Sequence, residues 1–329
     1  MSSLSQDWYR CSIDRKRLKE LSKRNDRTPL LWFGSYLALI IACGIGVVMT
    51  WNTPWVWAWL AGYSFLWGLT SSAVHELSHG TPFRSRWLNE TWMWIFSWMA
   101  QFEPVSVRWA HAGHHSNTHH DEGDPELSEP NPVSWFTFFN VGLGLWAAVF
   151  YWRTLLRMAF NSFDESLLRV IPEGEVPKAV RNARIIVGSY LAIVLWSVVA
   201  ASWLPIVLFL APRVLGGPVT GFLHLTQHTG LKMNIRDHRH STRSFSANPL
   251  TRYCYFNMNH HIEHHMFPMV PFYNLPKLTV ELASQMPEPN RGLLGVYSEI
   301  LRTIVRQHRE PGYYHAKQVP GDEVVAKAA

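Results

Sequence analysis

The stretch WVWAWLAGYSFLWGLTSSAVHELSH, residues 55–79, decides how the chain is read. Its first twenty residues are predominantly apolar, and about 20 such residues are what an α-helix needs to cross a bilayer. As a single helix, 55–79 is about 37 Å long at about 1.5 Å per residue. That exceeds the roughly 30 Å hydrocarbon core. His75 and His79 therefore project past the membrane surface, one helical turn apart and on one face.

Two further runs have the same character: LLWFGSYLALIIACGIGVVMTW (30–51) and IIVGSYLAIVLWSVVAASWL (185–204). A fourth, PIVLFLAPRVLGGPVTGFLHL (205–225), carries Arg213 in its middle and leads into His224 and His228. The chain holds 17 Trp, 17 Phe and 11 Tyr, many of them inside these runs. Runs of this length joined by turns as short as NTP fit a membrane protein, not a large soluble one. TWMWIFSWMAQF (91–102) is too short to span. VSWFTFFNVGLGLWAAVFYW (133–152) is nearly long enough, but a crossing there would separate the later histidines from the earlier ones. Both are expected in the interface, where Trp and Tyr are favoured.

The pattern predicts an all-α membrane protein. Four transmembrane helices near 30–51, 55–79, 185–204 and 205–228 form two hairpins, with interfacial helices and a cytosolic histidine-rich helical domain. Residues 1–29 are expected to be a cytosolic basic N-terminal segment. The membrane domain occupies 30–285, its segments 80–184 and 229–285 being cytosolic or interfacial, and 286–329 is expected to be a cytosolic C-terminal tail.

A formal charge of +6 invites a nucleic-acid reading, but its distribution argues otherwise. Basic residues fall in three blocks, 10–27, 84–184 and 232–327, and are absent from the short turns near 51–54 and 203–205; Arg213 is the exception. That is the positive-inside pattern. It predicts an integral, multi-pass protein with both termini in the cytoplasm, in keeping with a bacterial inner membrane, and no nucleic-acid partner. The polar, basic opening lacks the short apolar core of a cleavable signal peptide. Cys11, Cys43 and Cys254 are scattered and odd in number, so no disulfide framework or cysteine metal site is expected.

All but two of the 17 histidines lie between positions 75 and 265. His75 and His79 form HxxxH. His111, His114 and His115 form HxxHH, and His224 with His228 forms a second HxxxH. His261, His264 and His265 form a second HxxHH. Residues three or four apart share a helix face, so each cluster aims two or three imidazoles at one point. In the four-crossing layout all of them reach the cytoplasmic surface. Nine or ten imidazoles exceed the three or four protein ligands of one zinc and suit two metals. Imidazole accepts iron, copper, nickel or zinc, so ligand type alone does not choose. His75-Glu76-Leu77-Ser78-His79 also fits H-E-x-x-H, the helical zinc site in which Glu76 would be the general base of an intramembrane protease. That reading leaves the other clusters unexplained. A metal carrier without enzymatic activity is a further alternative.

HELSH, HAGHH and HIEHH, in this order and spacing, resemble the three histidine boxes of the membrane-bound fatty acid desaturase superfamily. DEGDPE after the second box and MFP after the third are similar to that group as well. The resemblance covers roughly 30–285. It implies a centre of two iron ions (Fe2+/Fe3+), O2 as co-substrate, a lipid-like substrate in the bilayer and an external two-electron donor of the ferredoxin, rubredoxin or cytochrome b5 type. It implies as iron ligands His75, His79, His111, His114, His115, His261, His264 and His265. It adds His228 at the end of the fourth helix and, less firmly, His224. Asp124, Glu126 and Glu263 are expected to support the imidazoles from behind. His119, His120, His238, His240 and His260 lie near the boxes but outside the pattern. STRSFSANP (241–249) resembles a segment that precedes the third box in bacterial members. Beyond the ligands no catalytic side chain is expected. Arg213 either faces a substrate cavity or sits at an interface beside a break at Ala211-Pro212, since a charge at the bilayer centre costs at least about 3 kcal/mol. The expected activity is desaturation of a fatty acyl or related alkyl chain. The alternative is hydroxylation on the same scaffold, because QHTGL also resembles a segment of alkane monooxygenases.

Overall fold

The computed structural model describes residues 7–321. Among them regular structure is helical, and the only β element is an isolated bridge between Phe245 and Asn290. In chain order the helices are α1 (Arg15–Leu21), α2 (Arg27–Met49), α3 (Val56–Gly68), α4 (Thr70–Ser78), α5 (Arg86–Ala100) and α6 (Pro104–Asn117). Then come α7 (Trp135–Leu143), α8 (Leu145–Ala159), α9 (Glu165–Val170), α10 (Val176–Val199), α11 (Leu204–Phe209) and α12 (Ala211–Leu215). The last are α13 (Gly217–His228), α14 (His238–Ser241), α15 (Pro249–Cys254), α16 (His261–Met266), α17 (Leu275–Leu282) and α18 (Gly292–Gln307). The chain divides into two compact units, one of 25–112 and 139–224, the other of 1–24, 113–138 and 225–329.

The first unit is apolar outside as well as inside. Helix α2 (Arg27–Met49) and the stretch Glu173–Val199 are each long and apolar enough to cross a membrane. Trp135–Leu143 with Ala147–Ala159 is a third candidate if that pair, bent by 69°, counts as one span. Leu31, Ile41 and Ile45 on α2, and Leu191, Leu195 and Trp196 on α10, are exposed. An exposed apolar surface of this extent is stable against lipid, not water. Inside, Phe33, Trp92 and Phe96 pack together with ring centroids 5.5–5.8 Å apart. The buried polar ends of the aromatic residues find backbone partners: Tyr36 donates to the Leu66 carbonyl and Trp67 to that of Met99, both at 2.7 Å.

Two of the four expected spans are not continuous helices. Residues 55–79 break at Leu69 into α3 and α4. There the Ser72 amide donates to Leu69 at 3.0 Å, and the Gly68 carbonyl instead accepts the Ser71 and Thr220 hydroxyls at 3.0 and 2.6 Å. Residues 205–228 form α11, α12 and α13, with joints at Leu210 and Gly216. Pro212 has no amide hydrogen for the Leu208 carbonyl. The Tyr63 hydroxyl takes that place at 2.8 Å. Apolar segments tolerate such breaks where neighbouring side chains satisfy the released backbone groups. The stretch 133–152, expected as one interfacial helix, is likewise bent, with Gly144 in the left-handed region at the joint (φ 64°).

The joint at Gly216 brings α3 and α12 together backbone to backbone. A Cβ on Gly216 would lie 2.1 Å from the Ser64 carbonyl oxygen, and one on Gly68 would lie 2.4 Å from that of Gly216. Neither neighbour is a flexible side chain.

The second unit is built around buried polar groups. Arg243 is fully buried and paired with Glu299 at 2.6 Å. The N-terminal residues lie on this unit: the Trp8 indole donates to the Ser116 carbonyl at 3.2 Å, and the Cys11 amide to the Met266 sulfur at 3.1 Å. Residues 311–320, expected as part of a tail, fold back after α18. The His315 amide donates to Gly230 and the Lys317 ammonium to Thr242, at 2.8 and 2.7 Å. Burial, with Arg243 adding to it, pushes the Lys317 ammonium down to about 7.

Gly216→Ala is expected to destabilise the detergent-purified protein by about 1–3 kcal/mol, as overpacking does. Gly34→Ala, with nothing within 4 Å of the new methyl, should leave stability unchanged or raise it. Thermal unfolding of the two variants side by side checks this; equal melting temperatures would contradict the close approach.

Candidate metal centre

Helix α6 starts at Glu103, whose carboxylate accepts the Val105 and Ser106 amides at 3.0 and 2.6 Å and the Asn182 amide group at 2.9 Å. An acidic group at this end complements the helix dipole, and Pro104 suits the first helical position. The helix so fixed carries His111, His114 and His115.

In the apolar unit, His75 and His79 at the end of α4 meet His111, with one ring nitrogen of each within 4.8 Å of the others. The His79 and His111 Nε2 atoms are 3.0 Å apart. About 3 Å is the separation expected for two nitrogens at right angles, each about 2.1 Å from one ion. The turn after His79 is pinned by Asn89, whose amide group donates to the Gly80 and Phe83 carbonyls at 3.3 and 3.0 Å.

In the second unit, His114, His228 and His265 form another such triangle, within 4.8 Å and all buried. The hydrogen bonds behind each ring fix which nitrogen carries the proton. His114 Nδ1 lies 2.9 Å from both oxygens of the Asp124 carboxylate, which only accepts. Asp124 is held in turn by the His119 and Glu126 amides, at 2.8 and 2.9 Å. His228 Nδ1 donates to the Ser241 carbonyl at 2.9 Å. The Thr118 hydroxyl donates to the His114 carbonyl at 2.9 Å, so it accepts from His265 Nδ1 at 3.1 Å. In all three rings Nδ1 carries the hydrogen and Nε2 keeps its lone pair.

The Nε2 of His228 is buried and has no hydrogen-bond partner among the described residues. An unsatisfied buried polar atom costs about 1–3 kcal/mol, and a metal ion would satisfy it. The arrangement therefore fits a bound metal. His265 stays neutral, because burial first and then the neighbouring His115 and His261 push its pKa well below the usual value. Neutral imidazole is the form that binds metal.

The remaining box histidines of the second unit lie beside its triangle. His265 and His261 place their Nε2 atoms 3.1 Å apart, and His115 stacks on His265 at 4.2 Å. His115 and His264 have ring nitrogens within 4.8 Å of each other. His224 is half-buried and belongs to neither set.

The neighbours outside the pattern have other contacts. His119 adopts a left-handed backbone (φ 58°), and its Nδ1 donates to the Lys232 carbonyl at 3.3 Å. The His120 ring donates to Thr118, and that of His260 pairs with Thr279. His238 stacks on Trp8 at 4.1 Å and is pushed down to about 3, chiefly by burial. His240, on α14, is half-buried.

Of the three expected supporting carboxylates, Asp124 backs a ring. Glu126 reaches Asp124 through its amide, and the Glu263 carboxylate accepts the Ser244 hydroxyl at 2.7 Å. Arg213 is buried between the joints at Leu210 and Gly216; it donates to the Ala100 carbonyl at 3.0 Å and lies over the Phe102 and Tyr151 rings. That closes the end of α5 and gives the charge partners within the protein. Sequence reasoning missed Thr118 and the Ser241 carbonyl. A threonine seven residues after His111 and a backbone oxygen carry no pattern that marks them.

The described residues thus combine two or three candidate membrane spans with groups of histidines that could hold a metal ion. The chain belongs to the fatty acid desaturase family, whose model, described as fatty acid desaturase, matches residues 49–294. It is similar to the Homo sapiens sphingolipid delta(4)-desaturase/C4-monooxygenase DES2, 28% identical over 289 residues, 82% of this chain and 80% of that protein. The Bos taurus DES2 is 28% identical over 264 residues, 77% of this chain and 74% of its own. The Mus musculus sphingolipid delta(4)-desaturase DES1 is 25% identical over 313 residues, 90% and 87% of the two chains. Membership of this family makes the chain an oxidoreductase, and the protease reading of HELSH gives way.

Asp124→Asn puts an amide where the carboxylate receives His114. Metal affinity is expected to fall roughly 10- to 100-fold, as when the partner behind a ligand is lost. Competition with a chelator measures this, with helix content from circular dichroism as control; unchanged retention would remove Asp124 from the site.

Proposed function

We propose that this protein is an O2-dependent di-iron oxidoreductase that desaturates the alkyl chain of a membrane lipid, with electrons from an external donor. The observation that carries the reading is the set His114, His228 and His265, each with Nδ1 engaged and Nε2 turned inward. The assignment gives two irons nine ligands: His75, His79 and His111 from one unit, and His114, His115, His228, His261, His264 and His265 from the other. Iron(II) bound there would supply the O2-dependent oxidation of an unactivated carbon chain, which acid or base side chains cannot perform. Asp124, Ser241 and Thr118 orient the ligand rings and hold Nδ1 as the nitrogen that carries the hydrogen, while burial keeps the His265 ring neutral. Glu76 is a neighbour of the ligands and not a general base.

In this reading the apolar unit takes the lipid, and the chain crosses the bilayer four times with both termini in the cytoplasm. There a ferredoxin, rubredoxin or cytochrome b5-type donor reaches the site. The described residues offer no alternative in a cysteine cluster, since Cys11, Cys43 and Cys254 are far apart in sequence and unpaired. Hydroxylation is the second reading, favoured by relatives whose name joins a desaturase to a C4-monooxygenase. The same names support a sphingolipid-type substrate, a long alkyl chain on a polar amide head.

The test is turnover of a long-chain sphingolipid and of a fatty acyl lipid by the purified protein with O2 and a reduced donor, read by mass spectrometry. Loss of two hydrogens marks desaturation; gain of one oxygen marks hydroxylation. His114→Ala should abolish both products and lower the iron content. Retained turnover with full iron would overturn the assignment.

A further inference from the structure

The segment STRSFSANP (241–249) has no role in the histidine pattern, yet its first three residues wrap the end of the helix that carries His228. The Ser241 carbonyl takes the His228 Nδ1 hydrogen at 2.9 Å. The Arg243 amide donates to the Gln227 carbonyl at 2.8 Å. The Arg243 guanidinium donates through Nη1 to Thr226 and through Nη2 to Thr229, at 2.9 and 3.0 Å. The last carbonyls of a helix have no partners within it, and a cation is favourable there. One arginine thus closes α13 on both sides of His228.

Arg243 has little freedom. Its Nε and Nη2 both donate to Glu299 Oε1 on α18, at 2.9 and 2.6 Å, and its side chain is fully buried. The other oxygen of Glu299 accepts the Asn290 amide group at 2.7 Å and meets His315 Nε2 at 3.2 Å. Lys317 closes the assembly over the Thr242 carbonyl. A buried arginine without its carboxylate is strongly unfavourable, so Glu299 decides where the guanidinium sits.

We propose that Arg243, held by Glu299, is a positioning residue for His228, fixing the turn at the end of α13 so that the Ser241 carbonyl meets Nδ1 and Nε2 faces His114 and His265. It rests on the reading of His228 as a metal ligand. The alternative is a strut that supports the whole unit without acting on this ligand. The two differ in what happens once His228 is gone.

The experiment is a double-mutant cycle on the full-length, detergent-purified protein loaded with iron(II) alone, read by release of iron to a chelator and by Mössbauer spectra of iron-57. Glu299→Gln keeps the shape and removes the charge. It should weaken retention of one of two ions roughly 10- to 100-fold, the range for such supporting partners. His228→Ala should lose the same ion, and adding Glu299→Gln to it should change nothing further. Arg243→Lys keeps the charge but not the span over two carbonyls and the carboxylate; it should behave like Glu299→Gln and stands in if that variant does not fold. Wild-type retention in both variants, or equal weakening with and without His228, overturns the proposal. Full iron retention in His228→Ala overturns the ligand reading itself, whatever Glu299→Gln does.

Discussion

An imidazole binds a metal only through a nitrogen that carries no proton, so a histidine ligand is defined as much by what lies behind the ring as by what lies in front. Three different acceptors meet this constraint here. Asp124 supplies a carboxylate to His114, Ser241 a backbone carbonyl to His228, and Thr118 a hydroxyl already committed to another acceptor to His265. Each accepts a hydrogen from Nδ1, and each is itself held by the backbone around it. Burial does separately what these acceptors do not: at His265 it disfavours a charged ring.

The apolar unit obeys a related constraint. Apolar surroundings leave no water to satisfy a released carbonyl, so each departure from a straight helix needs a partner from the protein. Pro212 gives up one hydrogen bond, and Tyr63 restores it at Leu208. Gly68 gives up another, and Ser71 and Thr220 restore it. The joints are not defects: they let α3 and α12 meet at backbone distance, which two continuous helices with side chains at those positions do not allow.

Much of this was legible in the chain. Three- and four-residue spacings placed the box histidines on shared faces, and long apolar runs marked the membrane unit. The breaks at Leu69 and Gly216 were not legible, because a glycine in an apolar run looks like any other small residue until its partner glycine is found across the packing. Pro212 was visible, and a break was an open reading there; Tyr63 as its remedy was not. Arg213 was noticed for the cost of its charge, but a carbonyl at the end of α5 and two aromatic rings are contacts between segments far apart in the chain. The role of residues 241–243 was hidden for the same reason. Their contacts are largely to backbone oxygens, which have no signature in sequence.

We propose that these histidines hold a pair of irons. Metal analysis of the detergent-purified protein grown with ample iron, with Mössbauer spectra after iron-57 enrichment, tests it most directly. Two irons per chain with antiferromagnetic coupling are expected. One zinc and no iron would contradict the proposal.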